Sequence, residues 1–196
     1  MYASRKMTAE QHASAVAERK MRKLPWFSPP HFGEEDATYL LSAACWDHQP
    51  ILNTQARRDE WLELLLRIEE DLDADLRAWV VLPNHYHLLA RVSLPAFNAW
   101  IKRWHNGKAT QWNREDKTPG RAVWYRFRDD RIRSERNYYS ALNYVHANPV
   151  KHGYVKKAQE WKWSSIHEYE KNIGLGTLRN WWREHPVGDF GKGWDD

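Results

Sequence analysis

At 196 residues the chain has the length of one domain with decorations rather than of two. Its 30 Lys and Arg against 26 Asp and Glu leave a formal charge of +4 and a pI of about 9.1, a mild excess compatible with a nucleic-acid partner. A single cysteine, Cys45, excludes an intramolecular disulfide framework and a cysteine-rich zinc site; mean hydropathy is −0.87 and no apolar run suits a membrane helix or a signal peptide, so a cytoplasmic protein is expected.

Charge is distributed more tellingly than it is summed. Between Lys102 and Arg136 eleven Lys or Arg stand against five Asp or Glu, with Trp104, Trp112, Trp124 and Tyr125 interleaved. Between Asp59 and Leu76 one Arg stands against eight acids. A phosphate backbone is drawn to the first segment and repelled by the second. Thirteen tryptophans, one in about fifteen residues, concentrate the apolar material in large rings.

In chain order, residues 1–36 read as a basic N-terminal extension containing Pro25, Pro29, Pro30 and Gly33. Residues 37–45 read as a first strand, and Ala56 to Leu72 as an amphipathic helix with Trp61, Leu65, Ile68 and Leu72 on one stripe. Arg77 to Val92 is strand-like with a turn at Pro83, which cannot donate to a sheet ladder. A second helix from about Pro95 carries Phe97, Trp100, Ile101 and Trp104 on its apolar stripe and gives way to a loop or fraying end between Asn106 and Gly120. Ala122 to Arg128 suits a further strand, and Ser134 to Ala147 a third helix that stops before Pro149. The order β-α-β-β-α-β-α predicts an α+β domain, one antiparallel sheet covered by helices.

Two local patterns carry chemistry. In His85-Tyr86-His87 the alternation of a strand places both imidazoles on one side, roughly 7 Å apart at the backbone. They can converge on a metal, or simply occupy a half-buried strand. On the third helix, at 100° per residue, Tyr144 and Asn148 share one flank of the core-facing stripe formed by Tyr138, Ala141, Leu142 and Val145, while Tyr139 and His146 fall on the other. Taken alone, Tyr144 is a border aromatic and Asn148 a residue closing a helix.

The run from Ala78 to Leu89, Ala-Trp-Val-Val-Leu-Pro-Asn-His-Tyr-His-Leu-Leu, is followed about sixty residues on by Asn143-Tyr-Val-His-Ala-Asn-Pro-Val-Lys-His-Gly-Tyr-Val. These paired motifs resemble the REP-associated tyrosine transposases, members of the single-tyrosine HUH (His-hydrophobic-His) group; Glu160-Trp-Lys-Trp-Ser-Ser-Ile-His-Glu-Tyr is similar to the Trp-rich segment that follows in that family. The resemblance spans residues 37–170, leaving 171–196 as a Trp-containing C-terminal tail.

The resemblance implies a ferredoxin-like HUH fold, with His85, His87 and Asn148 as metal ligands and Tyr144 as nucleophile. It implies cleavage and rejoining of single-stranded, hairpin-forming DNA from repetitive extragenic elements through a 5′-phosphotyrosine, with Mg²⁺ or Mn²⁺ as the expected cofactor. Arg126, Arg128, Arg131 and Arg133, extended by Lys102, Arg103 and Lys108, are the expected nucleic-acid contacts. No protein partner is expected, and a monomer or a homodimer both suit the sequence. Two other readings keep the fold or the histidines without this reaction: a catalytically silent nucleic-acid-binding module or repressor, and a small metallohydrolase.

Overall fold

The computed structural model describes residues 36–188 and 190–191; the expected basic extension over 1–36 lies outside them apart from Asp36. Contacts divide the chain into a unit over residues 1–32 and one over 33–196, and all described residues belong to the second.

Four antiparallel strands, β1 (Ala37–Ala44), β2 (Asp75–Val81), β3 (His85–Val92) and β4 (Arg128–Arg131), form one sheet in the order β2-β3-β1-β4. Helices α1 (Gln55–Leu66), α2 (Ile68–Leu72), α3 (Leu94–Glu115), α4 (Glu135–Lys151) and α5 (Ile166–Glu184) complete it. The units β1-α1-β2 and β3-α3-β4 interleave with β1 and β3 at the centre, which is the expected α+β ferredoxin-like arrangement. Trp161 to Ser165 run along the outer edge of β2, where Val81 N donates to Trp163 O at 2.9 Å and Ser165 N to Trp79 O at 3.0 Å. This shields an edge that would otherwise expose unpaired backbone groups.

The expected helix over 56–72 is two helices meeting at Arg67, with the stripe intact: Trp61, Leu65 and Ile68 are fully buried. Thr54 caps its start, its hydroxyl accepting from Arg57 N at 3.2 Å.

Three boundaries differ from expectation. Helix α3 does not fray after Asn106 but continues to Glu115, because its buried stripe runs on through His105 and Trp112 and only looks polar in sequence. The strand expected at 122–128 is reduced to a bridge between Cys45 and Trp124, and β4 lies at Arg128–Arg131 instead. Its four residues, Arg-Asp-Asp-Arg, are all charged, so this edge strand has no apolar alternation to read. Helix α4 runs through Pro149 to Lys151, because Gly153, at φ +70°, closes it with paired turns: Gly153 N to Val150 O at 3.0 Å and Tyr154 N to Pro149 O at 2.9 Å. Proline there removes only one interior hydrogen bond. The last helix, α5, crosses position 170 and breaks at Gly174.

Much of the tryptophan lies inside. Trp61 packs against Tyr86 (5.6 Å between centroids), His105 (5.5 Å), Trp112 (5.9 Å) and Trp124 (4.8 Å), and His105 stacks on Trp124 at 4.4 Å. Trp112, one of the rings interleaved with the basic residues of that segment, is fully buried. This cluster fills the space between α1, α3 and the Tyr86 face of the sheet.

Burial pushes the His105 imidazole down to about 3, so it is neutral when folded, with its Nε2 3.0 Å from the Tyr86 hydroxyl. A group that protonates near 6.5 when unfolded and near 3 when folded contributes its full stability above 6.5 and loses it as pH falls. Lowering pH from 7 to 5 is therefore expected to cost about 2 kcal/mol through His105 alone. Urea titrations of wild type and His105→Gln at both pH values check this, since the variant loses that part of the pH dependence.

Candidate active site

The site is built between β3 and α4, on the sheet face opposite the aromatic cluster. Tyr86 points into the cluster, so His85 and His87 point the other way, toward α4, which crosses β2 and β3. Their rings lie 5.0 Å apart and both are buried. Tyr144, Asn148 and Lys151 follow at i, i+4 and i+7 on the face of α4 above them. His85 Nε2 stands 3.0 Å from Asn148 Oδ1, and the His87 ring packs edge-on against Tyr144 at 5.0 Å. All four residues expected to share the site do so.

Two residues not singled out in the sequence orient the imidazoles. Ser42, which pairs with His87 across the sheet, places its hydroxyl 2.6 Å from His87 Nδ1. Asn84 Nδ2 donates to His48 O at 3.3 Å, which turns Asn84 Oδ1 toward His85 Nδ1 at 2.7 Å. Oδ1 can only accept, so the His85 proton sits on Nδ1 and the Nε2 lone pair faces Asn148 Oδ1. In the neutral imidazole both atoms then present lone pairs at 3.0 Å, a separation that two ligands of one cation also have. Ligands at right angles around an ion at about 2.1 Å stand roughly 3 Å apart. Asn148 Nδ2 is buried with no hydrogen-bond partner among the described residues. The donor set of two imidazoles and an amide oxygen therefore fits a divalent cation. Among the described residues no cluster of three His, Cys, Asp or Glu is placed to hold a metal ion.

Two further residues of α4 close the site. Lys151 Nζ lies 5.1 Å from the centre of the Tyr144 ring, and His152 places its ring 4.9 Å from His85. Both depend on the helix continuing past Pro149. The spacing of seven from Tyr144 and four from Asn148 is the signal that would have found them.

Tyr144 is only 1% exposed. Phe190 packs on it at 5.7 Å, and Gly191, at φ +76°, approaches so closely that a methyl group there would overlap the ring, 2.6 Å from Cζ. A turn in which Phe190 N donates to Val187 O at 2.9 Å brings this segment over the phenol. The other tyrosines of α4 are engaged elsewhere: Tyr139 stacks on His185 at 4.8 Å, and Tyr138 hydrogen-bonds to Tyr169. His146, on the opposite flank, lies 2.9 Å from Ser165 Oγ, outside the site.

The expected basic rim is only partly beside this site. Lys102, Arg103 and Lys108 lie on α3, across the sheet from Tyr144, and Lys108 pairs with Glu60 at 2.5 Å. Arg128 pairs in register with Ser42 and so shares the site's face, held by Asp130 at 2.7 Å. Arg131 pairs with Tyr39 and faces the other way, while Arg126 and Arg133 are exposed on either side of β4. The acidic stretch is largely spoken for within the fold: Asp59 accepts from Trp163 at 2.8 Å, Glu60 holds Lys108, and Asp71 accepts from Trp100 at 2.8 Å.

No family model matches the chain. A REP-associated tyrosine transposase of Escherichia coli (strain K12) is 28% identical over 165 residues, covering 79% of this chain and 93% of that protein. A solved structure of a REP-associated tyrosine transposase bound to a REP hairpin superposes with a TM-score of 0.57 at 22% identity, over 74% of this chain and 86% of that one. The solved structure bears on the fold alone. The chain is thus similar in sequence to a REP-associated tyrosine transposase and shares the fold of another.

Proposed function

We propose that this chain is a DNA strand transferase that cuts and rejoins single-stranded DNA at hairpin-forming repetitive elements through a covalent bond to Tyr144. The observation that carries the reading is the placement of a buried tyrosine beside two imidazoles and an amide side chain, a donor set able to take a divalent cation. The relatives supply the substrate: one solved relative is bound to a REP hairpin.

Tyr144 Oη attacks the scissile phosphorus, the bond to the 3′ oxygen breaks, and the strand's 5′ phosphate stays on the protein. The phenol loses a proton and the departing 3′ oxygen gains one, so the step is neutral overall. Keeping the phosphodiester energy in a tyrosyl ester lets the reverse step rejoin a strand. A phenol ionises near 10 in water, and the Lys151 ammonium lies 5.1 Å from the centre of the Tyr144 ring. His85, His87 and Asn148 would hold Mg²⁺ or Mn²⁺, which supplies charge stabilisation at the phosphate. Asn84 and Ser42 keep the imidazole nitrogens facing that position.

The test is incubation of the purified chain with a labelled, hairpin-bearing single strand and Mg²⁺ or Mn²⁺. A denaturant-resistant protein–DNA adduct carrying the fragment 3′ of the cut through its 5′ phosphate is expected, together with a released fragment that ends in a free 3′ hydroxyl. Binding without adduct under either metal would instead indicate a silent binding module, and cleavage without adduct a metallohydrolase.

Two variants refine the reading. Asn84→Ala frees the His85 ring to turn or change tautomer, and Mn²⁺ affinity, measured by titration calorimetry, is expected to fall about 10- to 100-fold. Gly191→Ala forces the segment over Tyr144 to lift, and the initial rate of adduct formation is expected to rise several-fold; an unchanged rate means that bound DNA already displaces the segment.

A further inference from the structure

Between α4 and α5 lies a cleft of about 430 Å³ that neither the nucleophile nor the cation site uses. Its α4 wall is Asn143, Ala147 and Val150, a stripe at i, i+4 and i+7 that is one residue, or about 100°, around the helix from Tyr144, Asn148 and Lys151. The opposite wall is Arg179 and Trp182 of α5, and Lys156 and Lys157 stand at the mouth. None of the described residues lining the cleft is acidic.

Two buried polar atoms in this lining have no hydrogen-bond partner among the described residues. Asn143 is 1% exposed, and its Nδ2 donates to Trp181 O at 3.0 Å and to His185 O at 2.8 Å. Those two bonds determine the amide orientation and leave Oδ1 as a fixed, unused acceptor. Trp182 Nε1 is a buried donor, equally unused. Leaving such atoms unsatisfied typically costs about 1–3 kcal/mol each, so a ligand that offers a matching donor and acceptor recovers that cost.

The geometry points to a binding site for one unpaired nucleotide of the DNA strand that Tyr144 attacks. A nucleobase has the required mixture: a flat apolar body for the Trp182 and Val150 walls, an N–H edge for Asn143 Oδ1, and an acceptor for Trp182 Nε1. Its flanking phosphates meet Lys156, Lys157 and Arg179. The volume admits one nucleotide and not a base pair, and adjacency on α4 places that nucleotide close to the scissile phosphate. The identification of the strand rests on the proposed reaction at Tyr144, whereas the chemistry of the cleft stands on its own lining.

The test measures binding, by fluorescence anisotropy in a Tyr144→Phe background, to a hairpin-bearing single strand carrying one abasic site moved position by position. One abasic position is expected to weaken binding about 5- to 100-fold. Val150→Trp, which fills the cleft from an exposed position without removing a hydrogen bond, is expected to weaken binding of the intact strand similarly and to abolish the penalty at that abasic position alone. Lys156→Glu with Arg179→Glu, two surface changes, is expected to weaken binding and flatten its salt dependence. Abasic penalties that are identical in wild type and Val150→Trp at every position, or unchanged binding by both variants, overturn the site. Adduct formation by the Tyr144 form is scored separately. Loss of the cleft effects with normal adduct defeats this inference alone, and coupled cleft effects without any adduct defeat the catalytic reading alone.

Discussion

Tyr144→Phe is expected to reduce adduct formation by a factor on the order of 10³ or more while leaving DNA affinity and thermal midpoint close to wild type. The phenyl ring keeps the contacts that the tyrosine ring makes with His87, Phe190 and the Lys151 ammonium, so what is removed is the attacking oxygen. No neighbouring tyrosine can substitute. Tyr138 and Tyr139 lie on other faces of α4, one hydrogen-bonded to Tyr169 and the other stacked on His185 and Trp181. The assay is a gel of labelled DNA under denaturing conditions, with calorimetric unfolding as control. An adduct that survives at wild-type yield in the folded variant would sink the assignment of Tyr144.

The second large effect is on stability. Trp61→Ala is expected to cost about 3–5 kcal/mol, measured as a shift in the urea midpoint at constant slope. Trp61, on α1, is fully buried and touches Tyr86 of β3, His105 and Trp112 of α3, and Trp124 between α3 and β4. Removing it opens a cavity that this many rigid rings cannot collapse to fill. A loss below about 1 kcal/mol would mean that the cluster repacks. The site should suffer with the fold, because Tyr86 anchors the strand from which His85 and His87 project.

Much of this arrangement is legible along the chain. The strand carrying His85 and His87, the helix carrying Tyr144 and Asn148, and the order of elements all follow from period-two and period-3.6 patterns with proline as punctuation. Two of the misplaced pieces, the end of α3 and the position of β4, share one cause: the residues there look polar along the chain but have structural roles. His105 and Trp112 continue the buried face of α3 beneath a polar surface, and β4 is charged at every position, its pairing dictated by the edge of β1. The charged segments misled in the same way. Much of the acidic stretch binds indole N–H groups and Lys108 within the fold, and the basic stretch from Lys102 to Arg136 is split by the sheet into two faces.

The amino-acid sequence by itself determined the fold class, the two imidazoles on one side of a strand, and the face shared by Tyr144 and Asn148, because each is a matter of local periodicity. Only the tertiary structure decided that these two faces meet, that Asn84 and Ser42 aim the imidazole nitrogens, that Gly153 carries α4 far enough to bring Lys151 and His152 in, and that Phe190 and Gly191 cover the phenol. Each of these depends on contacts between residues distant in the chain, or on a helix end whose closing bonds outweigh one lost to proline, and no period in the sequence encodes such distances.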